Sequence, residues 1–257
     1  MSTFLGYDRP VITGMISGAD HKTEAGIFKA IEYGHEHGVD AFGLQLECMP
    51  RELRTEALFK KIFRAMGDKP AYVTNYRRGN DPALTDEQLG EELLLTLECG
   101  GKLIDVRGDM YLPSPKEITT DPAAVQKQME FINEVHRRGG EVLMSSHVFQ
   151  YIPPEEVLQI AQLQASRGAD IAKIVNDANT EAEMQANFHA TFLLKNYLTI
   201  PSLFLCNGAC NRLHRFFGPA LGSALFLTVC APVAPGVGQP PLHKTLELMK
   251  AIIRDDK

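Results

Sequence analysis

Residues 141–175 read EVLMSSHVFQYIPPEEVLQIAQLQASRGADIAKIV. The stretch begins with a short apolar run, continues through an amphipathic segment between Pro153 and Gly168, and closes on a second apolar run. Short apolar runs of this kind indicate buried strands, and the longer segment between them has the spacing of a helix. A strand, a helix and another strand in this order predict two parallel strands joined by a right-handed crossover.

The same alternation extends in both directions and gives eight strand segments. They are PVITGM (10–15), DAFGLQL (40–46), AYVTN (71–75), KLIDVR (102–107), EVLMSSH (141–147), DIAKIV (170–175), TIPSLFLC (199–206) and ALGSALFL (220–227). Helical segments follow them at 21–37, 51–66, 86–98, 122–138, 153–167, 181–196, 211–217 and 242–254. Eight such units predict an α/β chain that forms a single-domain (β/α)8 TIM barrel over 1–257. The alternative is an open doubly wound sheet, but no GxGxxG follows the first strand.

The composition argues against several classes of partner. The formal charge is -6 and the pI is about 5.8, so nothing indicates binding to nucleic acid or to an acidic membrane surface. The sequence has neither an apolar run long enough to span a bilayer nor a secretory signal. The five cysteines have neither zinc-site nor disulfide spacing. We therefore expect a cytoplasmic protein with reduced thiols and a small-molecule ligand.

Polar side chains interrupt strands that should be almost wholly apolar. A period of two residues places Phe42 and Leu44 on one face of the second strand, and Gln45 and Glu47 on the other. The same counting over the fourth, fifth and sixth strands gives one inward-facing polar set. It consists of Gln45, Glu47, Asp105, Arg107, Ser145, His147 and Lys173. In a barrel these residues converge near the C-terminal mouth, where such enzymes keep their chemistry. A buried structural pair of Asp105 with Arg107 is the alternative for those two residues.

Lys173 is the strongest candidate for chemistry, because an interior lysine is rare without a task. Burial and neighbouring cations, such as Arg107 or a protonated His147, would favour the neutral amine, which is a nucleophile. Attack on a ketone forms a Schiff base that makes the adjacent proton removable and lets a β-hydroxyl leave. An imidazole such as that of His147 suits the proton transfers that follow.

Three segments resemble the type I 3-dehydroquinate dehydratases. They are SSHVFQYIPP (145–154), GADIAKI (168–174), and NGACNRLHRFFGPALGSALF (207–226) followed by APGVGQ (234–239). The order and spacing agree, and the first half of the chain fits the first two barrel units of the family. The resemblance therefore covers nearly the whole chain.

The resemblance implies a role for four residues. Lys173 takes the position of the imine-forming lysine, His147 that of the acid/base histidine and Arg215 that of the arginine that binds the substrate carboxylate. Gln239 matches a glutamine of the lid, which we place in the Pro- and Gly-rich loop 231–241. The family implies the shikimate-pathway dehydration of 3-dehydroquinate to 3-dehydroshikimate, without metal or organic cofactor, and a homodimer.

Several positions depart from the family. Gly43 and Gln45 stand where the second strand has Glu and Arg, with the carboxylate of Glu47 two positions further on. Tyr76 stands where the third strand has Arg, Arg107 where a glutamate would orient the histidine, and Val233 where the lid has Ser. We expect His147 to lack its orienting carboxylate as a result. The remaining substrate-binding candidates are Arg107, Gln45, Glu47, Arg77 (or its neighbour Arg78) and Ser145.

These departures spare the lysine and the histidine but alter the expected substrate contacts. We predict a Schiff-base-forming hydro-lyase acting on a carboxylated β-hydroxy ketone, either 3-dehydroquinate or a close analogue. Two alternatives stay open: a class I aldolase that uses the same lysine on another keto acid, and a barrel that binds a ligand without turnover. A phosphate site near Gly218 and Gly222 is a further alternative for the anion. His35 and His37 read His-Glu-His, but they end a helix and are expected at the surface.

Overall fold

The computed structural model of this protein describes residues 3–16, 18–232 and 238–252. Eight parallel strands form one sheet in the order β7-β6-β5-β4-β3-β2-β1-β8. They are β1 Val11–Met15, β2 Ala41–Gln45, β3 Ala71–Thr74, β4 Leu103–Arg107, β5 Glu141–His147, β6 Ile171–Asp177, β7 Ser202–Asn207 and β8 Leu225–Val229. A backbone hydrogen bond of 2.7 Å from Ala224 to Ser202 joins the two ends of the sheet. The predicted (β/α)8 barrel is therefore confirmed, and the open sheet is wrong.

Eight α-helices connect and surround the strands in the described part of the chain. They are α1 Glu24–Glu36, α2 Glu56–Met66, α3 Asp86–Cys99, α4 Pro122–Arg137, α5 Pro154–Ser166, α6 Glu181–Tyr197, α7 Asn211–Phe217 and α8 Leu242–Ile252. The side chains of Thr85 and Thr180 cap the N-termini of α3 and α6. None of the described helices is long and apolar enough to cross a bilayer.

Four predicted boundaries are corrected by the structure. The helices predicted to begin at residues 21 and 51 begin at Glu24 (α1) and Glu56 (α2) instead. The side chains of Thr23 and Thr55 accept the capping hydrogen bonds there. Short 3-10 turns occupy Asp20–Lys22 and Arg51–Leu53 instead. Strands β7 and β8 also begin later than predicted. Pro201 has no N–H for a sheet ladder, and Pro219–Leu221 forms a 3-10 turn before β8.

The alternation along the strands separates two hydrophobic layers. Phe42, Leu44 and Val106 point outward and pack against the helices. Side chains of the opposite parity fill the barrel interior, where Phe4 closes the N-terminal end. The backbone N–H of Phe4 donates to Glu141 at the start of β5, over 2.9 Å. Apolar side chains therefore fill the N-terminal end of the barrel, and the polar side chains of the predicted site lie at its C-terminal end.

Candidate active site

A cavity of about 410 Å³ opens at the C-terminal ends of the strands. Six of the nine predicted site residues line it: Gln45, Glu47, His147, Lys173, Arg215 and Gln239. The other three, Arg77, Arg107 and Ser145, lie outside its lining. The structure thus brings the predicted lysine and histidine into one cavity together with the predicted carboxylate-binding arginine.

Lys173 lies on β6 with its side chain 5% exposed, and its amine is held by three oxygen atoms. Nζ lies 2.6 Å from the hydroxyl of Tyr76, 2.9 Å from that of Tyr72 and 3.2 Å from Asp105 Oδ2. The charge closest to the amine is therefore a carboxylate, not the cation that the sequence led us to expect. The alternative of a structural pair between Asp105 and Arg107 is also wrong, because Asp105 pairs with Lys173 and Arg107 with Asp86.

Asp105 is the centre of the hydrogen-bond network beneath the cavity. Its Oδ2 accepts from Tyr72 over 2.5 Å and from Tyr76 over 2.6 Å, while its Oδ1 accepts from Ser145 over 2.5 Å. Burial would raise the pKa of Asp105, but the charge of Lys173 and the three hydroxyl groups outweigh it and lower that pKa. Asp105 is therefore an ionised partner for a positive charge on Nζ. Ser145 acts beneath the site, on Asp105, rather than in the cavity lining.

His147 ends β5, and its imidazole is oriented by Glu117. Glu117 Oε2 lies 2.8 Å from both the backbone N and Nδ1 of His147. A proton on Nδ1 then leaves Nε2 unprotonated in the neutral ring. Burial and the charge of Lys173 lower the pKa of His147, although Glu117 acts in the opposite direction. His147 therefore has the neutral form of a general base at neutral pH.

This contact corrects the expectation that His147 lacks an orienting carboxylate. Glu117 comes from the loop after β4, ten residues beyond the position where the family pattern led us to expect one. Its backbone has a φ of 44°, in the left-handed region. The backbone carbonyl of Glu117 accepts a hydrogen bond from the hydroxyl of Ser146. Both the backbone and the side-chain carboxylate of Glu117 are therefore bonded to β5. A carboxylate supplied from a loop has no strand periodicity, which is why the sequence pattern did not reveal it.

Arg107 and Arg77 are drawn away from the cavity by acidic partners. Arg107 Nη2 lies 2.5 Å from Asp86, the first residue of α3. Arg77 pairs with the same carboxylate over 2.5 Å and with Asp109 over 2.8 Å. These two arginines connect the loops after β3 and β4 and do not line the cavity, so the structure does not place them with the other substrate-binding candidates. Their neighbour Arg78 lines the cavity instead.

Glu47 is a buried carboxyl group on the wall of the cavity. Thr74 Oγ1 lies 2.9 Å from each of its oxygens, and Gln45 Nε2 donates to it over 3.2 Å. These donors carry no charge to compensate an ionised carboxylate. Burial accordingly raises the pKa of Glu47 to about 7. Near neutral pH, Glu47 is thus present in both its protonated and its ionised form.

Arg215 brings a cation to the other side of the cavity. Helix α7 carries it, and its guanidinium donates to the carbonyl of Cys206 over 2.8 Å and to Asn207 Oδ1 over 2.7 Å. None of the ion pairs among residues 3–16, 18–232 and 238–252 involves Arg215. An arginine held by uncharged acceptors at a cavity wall has its charge available for an anionic ligand.

The predicted lid at 231–241 lies partly outside the described residues. Residues 233–237, which include Val233, are in that undescribed part. The C-terminal side of the loop is anchored, because the N–H of Val229 donates to the carbonyl of Pro240 over 3.0 Å. Gln239 lies beside this anchor and reaches the cavity, as the family pattern implied.

Sequence reasoning missed three residues that act on the lysine and the histidine. Tyr72 and Tyr76 contact Nζ directly, and Glu117 orients the imidazole. Tyr72 lies on the inward face of β3. A phenol hydroxyl in a buried strand needs a hydrogen-bond partner, and this requirement could have identified Tyr72 as a site residue. The sequence comparison identified Tyr76 only as a replacement for an arginine of the family. The local sequence around Glu117 gave no indication that it would contact His147.

Comparison with known proteins identifies the family of the chain. A family model described as Type I 3-dehydroquinase matches residues 21–256. The 3-dehydroquinate dehydratase of Geobacillus sp. is 27% identical over 205 residues, which cover 78% of this chain and 72% of that protein. The enzyme of the same name from Alkaliphilus oremlandii is 37% identical over 108 residues, or 41% of this chain. That alignment spans 42% of the relative's length, and the one with the Shouchella clausii enzyme spans 65%.

Solved structures show the same fold. The type I 3-dehydroquinate dehydratase of Clostridium difficile superposes with a TM-score of 0.79 at 19% identity, covering 96% of this chain and 94% of that one. The 3-dehydroquinate dehydratase of Geobacillus kaustophilus gives a TM-score of 0.78 at 17% identity, covering 98% and 94%. At these identities the comparison establishes the barrel and its order of elements.

Proposed function

Because the chain belongs to the type I 3-dehydroquinase family, we propose that it is a hydro-lyase that removes water from a carboxylated cyclic β-hydroxy ketone. The substrate is 3-dehydroquinate or a close analogue, and the product is the corresponding unsaturated ketone. The observation that carries this proposal is the amine of Lys173, nearly buried, facing a cavity that also contains His147 and Arg215. The proposed reaction takes place in the cytoplasm.

The first stage is formation of a Schiff base on Lys173. The amine nitrogen attacks the ketone carbon, the oxygen leaves as water, and a positively charged iminium remains. Asp105 Oδ2, which lies 3.2 Å from Nζ, is placed to stabilise that charge before and after the bond forms. A carboxylate that is already fixed by Ser145 and two phenols needs no reorganisation as the charge develops.

The second stage is elimination, with His147 as the proton-transfer group. The neutral imidazole removes a proton from the carbon next to the iminium carbon. The C–H electron pair forms a C=C bond between these two carbons, and the C=N π pair moves onto nitrogen, which gives a neutral enamine. The enamine then expels the β-hydroxyl, which takes the proton from His147 and leaves as water. Hydrolysis of the new iminium frees the product and restores the lysine. Glu117 supports this role because it keeps the ring oriented and stabilises its charged form.

Arg215 is proposed to bind the substrate carboxylate. It has no acidic partner among the described residues, and its planar guanidinium can pair with a carboxylate at two points. Gln45 and Gln239 offer amide groups to the hydroxyls of the ring. Arg78, at the exposed edge of the cavity, is a second cation for the same carboxylate.

Product analysis tests this function. Incubation with 3-dehydroquinate should give an enone that keeps all the carbon atoms of the substrate. Ultraviolet absorption measures the formation of the enone, and mass spectrometry measures its mass. Lys173→Ala should abolish the product, while Lys244→Ala, at an exposed lysine of α8, should keep it. Two smaller carbonyl fragments would establish an aldolase instead. Binding of the ketone without any product, unchanged in Lys173→Ala, would establish a non-catalytic barrel.

A further inference from the structure

Tyr76 lies between the two groups to which the proposed reaction is assigned. Its hydroxyl is 2.6 Å from Lys173 Nζ and 2.6 Å from Asp105 Oδ2, so it links the amine to the carboxylate. Its ring meets the imidazole of His147 edge-on, with ring centroids 4.8 Å apart. The phenol therefore fills the space between the lysine and the histidine and contacts both.

The two tyrosines at Lys173 occupy different depths. Tyr72 is part of β3 and is 0% exposed, with its hydroxyl 2.9 Å from Nζ. Tyr76 follows the strand, is partly exposed and makes the shorter contact with Nζ. Both tyrosines line the cavity, and Tyr76 is the better candidate to assist there because it is more exposed and lies closer to Nζ.

Neither phenol can act as a simple base near neutral pH. Burial and the charge of Asp105 raise the pKa of both Tyr72 and Tyr76 well above 10, so each keeps its proton. A protonated phenol can still accept one proton while it donates another. With an amine on one side and an ionised carboxylate on the other, Tyr76 has both neighbours that such a transfer requires.

We propose that Tyr76 is a catalytic residue that relays protons between Lys173 Nζ, Asp105 and the ketone oxygen during formation of the Schiff base. Tyr76 first accepts a proton from the ammonium and passes its own to Asp105, which leaves a neutral amine. After the amine has attacked the carbonyl carbon, the stored proton and a second proton from nitrogen pass through Tyr76 to the oxygen. The C–O bond then breaks and the nitrogen lone pair forms the C=N bond.

The protons balance without an outside reactant. Of the three on the ammonium nitrogen, two leave with the water and one stays on the iminium, and Asp105 ends as it began. The inference rests on the proposed nucleophilic role of Lys173, but not on the identity of the substrate. It divides the chemistry between two pairs: Tyr76 with Asp105 for formation of the imine, and His147 with Glu117 for the elimination.

The test uses 2,4-pentanedione, an uncharged diketone whose adduct with a lysine amine absorbs in the near ultraviolet. The absorbance should grow in the wild-type protein and be absent in Lys173→Ala. Tyr76→Phe keeps the ring against His147 but should lower the limiting rate of adduct formation about 100-fold, the usual size of a general acid–base effect, with the half-saturating concentration unchanged. Tyr72→Phe should lower the rate much less. Tyr33→Phe, on the outer helix α1, should leave it unchanged.

Three outcomes would overturn the relay. They are an equal loss of rate in Tyr72→Phe and Tyr76→Phe, a rise in half-saturating concentration at unchanged limiting rate in Tyr76→Phe, and no adduct in the wild-type protein. The diketone has neither a carboxylate nor a β-hydroxyl, so its adduct with Lys173 does not depend on recognition or dehydration of 3-dehydroquinate. If the protein failed to dehydrate 3-dehydroquinate, the adduct rates would therefore still test the relay. A normal circular dichroism spectrum of Tyr76→Phe excludes loss of the fold as the cause.

Discussion

At the scale of single residues, the partner of a charged group decides what that group can do. The sequence places Lys173 and Asp105 on inward strand positions, but it led us to expect cations around the amine. In the structure, Arg107 is taken by Asp86, and the amine meets a carboxylate and two phenols. Long side chains can reach several different partners, and the partners that they contact come from distant segments that meet only in the folded barrel.

The pairing of His147 with Glu117 predicts a change in the titration of the imidazole. Burial and Lys173 lower the pKa of His147, and Glu117 limits that decrease because its charge favours the imidazolium. Glu117→Gln removes the charge, so the pKa of His147 should fall further. NMR titration of the ring, assigned with a His147→Ala variant, measures the shift. An unchanged or higher pKa in Glu117→Gln would contradict the assigned orientation.

Glu47 predicts a dependence of stability on pH. Its pKa is about 7 in the folded chain, above the ordinary value of about 4.3 expected when unfolded. The stabilisation by its bound proton is therefore full below about pH 4 and is lost as the pH rises through about 7, a change on the order of 3 kcal/mol. Glu47→Gln cannot titrate and should escape this loss.

Urea unfolding at about pH 4 and about pH 8 measures this effect. The free energy of unfolding of Glu47→Gln, relative to wild type, should be higher at the upper pH by roughly 3 kcal/mol. Glu24→Gln, at an exposed surface pair, is the control and should show no such difference. The same stability difference for Glu47→Gln at both pH values would mean that the pKa of Glu47 is not raised in the folded chain.

At the scale of elements, the start of α3 fixes the loops on either side of the site. Asp86 receives Arg107 from β4, Arg77 from the loop after β3, and the backbone N–H of Tyr111 over 2.6 Å. The loop after β4 continues to Glu117, which reaches His147. One carboxylate at a helix N-terminus thus anchors the segment that supplies the orienting group.

Asp86→Ala should therefore destabilise the protein more than any surface pair would. It leaves two largely buried guanidinium groups without their shared partner, and removal of one member of a buried pair typically costs about 3–5 kcal/mol. Urea unfolding at neutral pH measures the loss, with Glu24→Gln again as the surface control. A decrease in the free energy of unfolding of less than about 1 kcal/mol would show that other contacts hold these loops.

At the scale of the whole molecule, the strand and helix alternation was sufficient to predict the barrel. Periods of two and 3.6 residues follow from backbone geometry, so they identify which strand faces meet inside. They placed Lys173, His147 and Glu47 correctly around one cavity. Helix and strand ends were less predictable at 21–24, 51–56, 199–202 and 220–225, where 3-10 turns and prolines replace regular structure.

The rest of the site depends on contacts between segments far apart in the chain. Glu117 comes from a loop, Tyr76 lies just beyond the end of β3, and Arg77 and Arg107 turn toward Asp86. None of these positions follows from a local period. The family pattern gave Lys173 and His147 their proposed roles and added Arg215 and Gln239, but it did not supply the partners that replace its missing residues.

Reductive trapping tests the central proposal, the Schiff base on Lys173, most directly. The protein is incubated with 3-dehydroquinate, reduced with borohydride, digested and examined by mass spectrometry. We predict one adduct, with the mass of the reduced ketone or its dehydrated form, on the peptide that contains Lys173, and none in Lys173→Ala. An unmodified Lys173 peptide under conditions where product still forms would contradict covalent catalysis by this lysine.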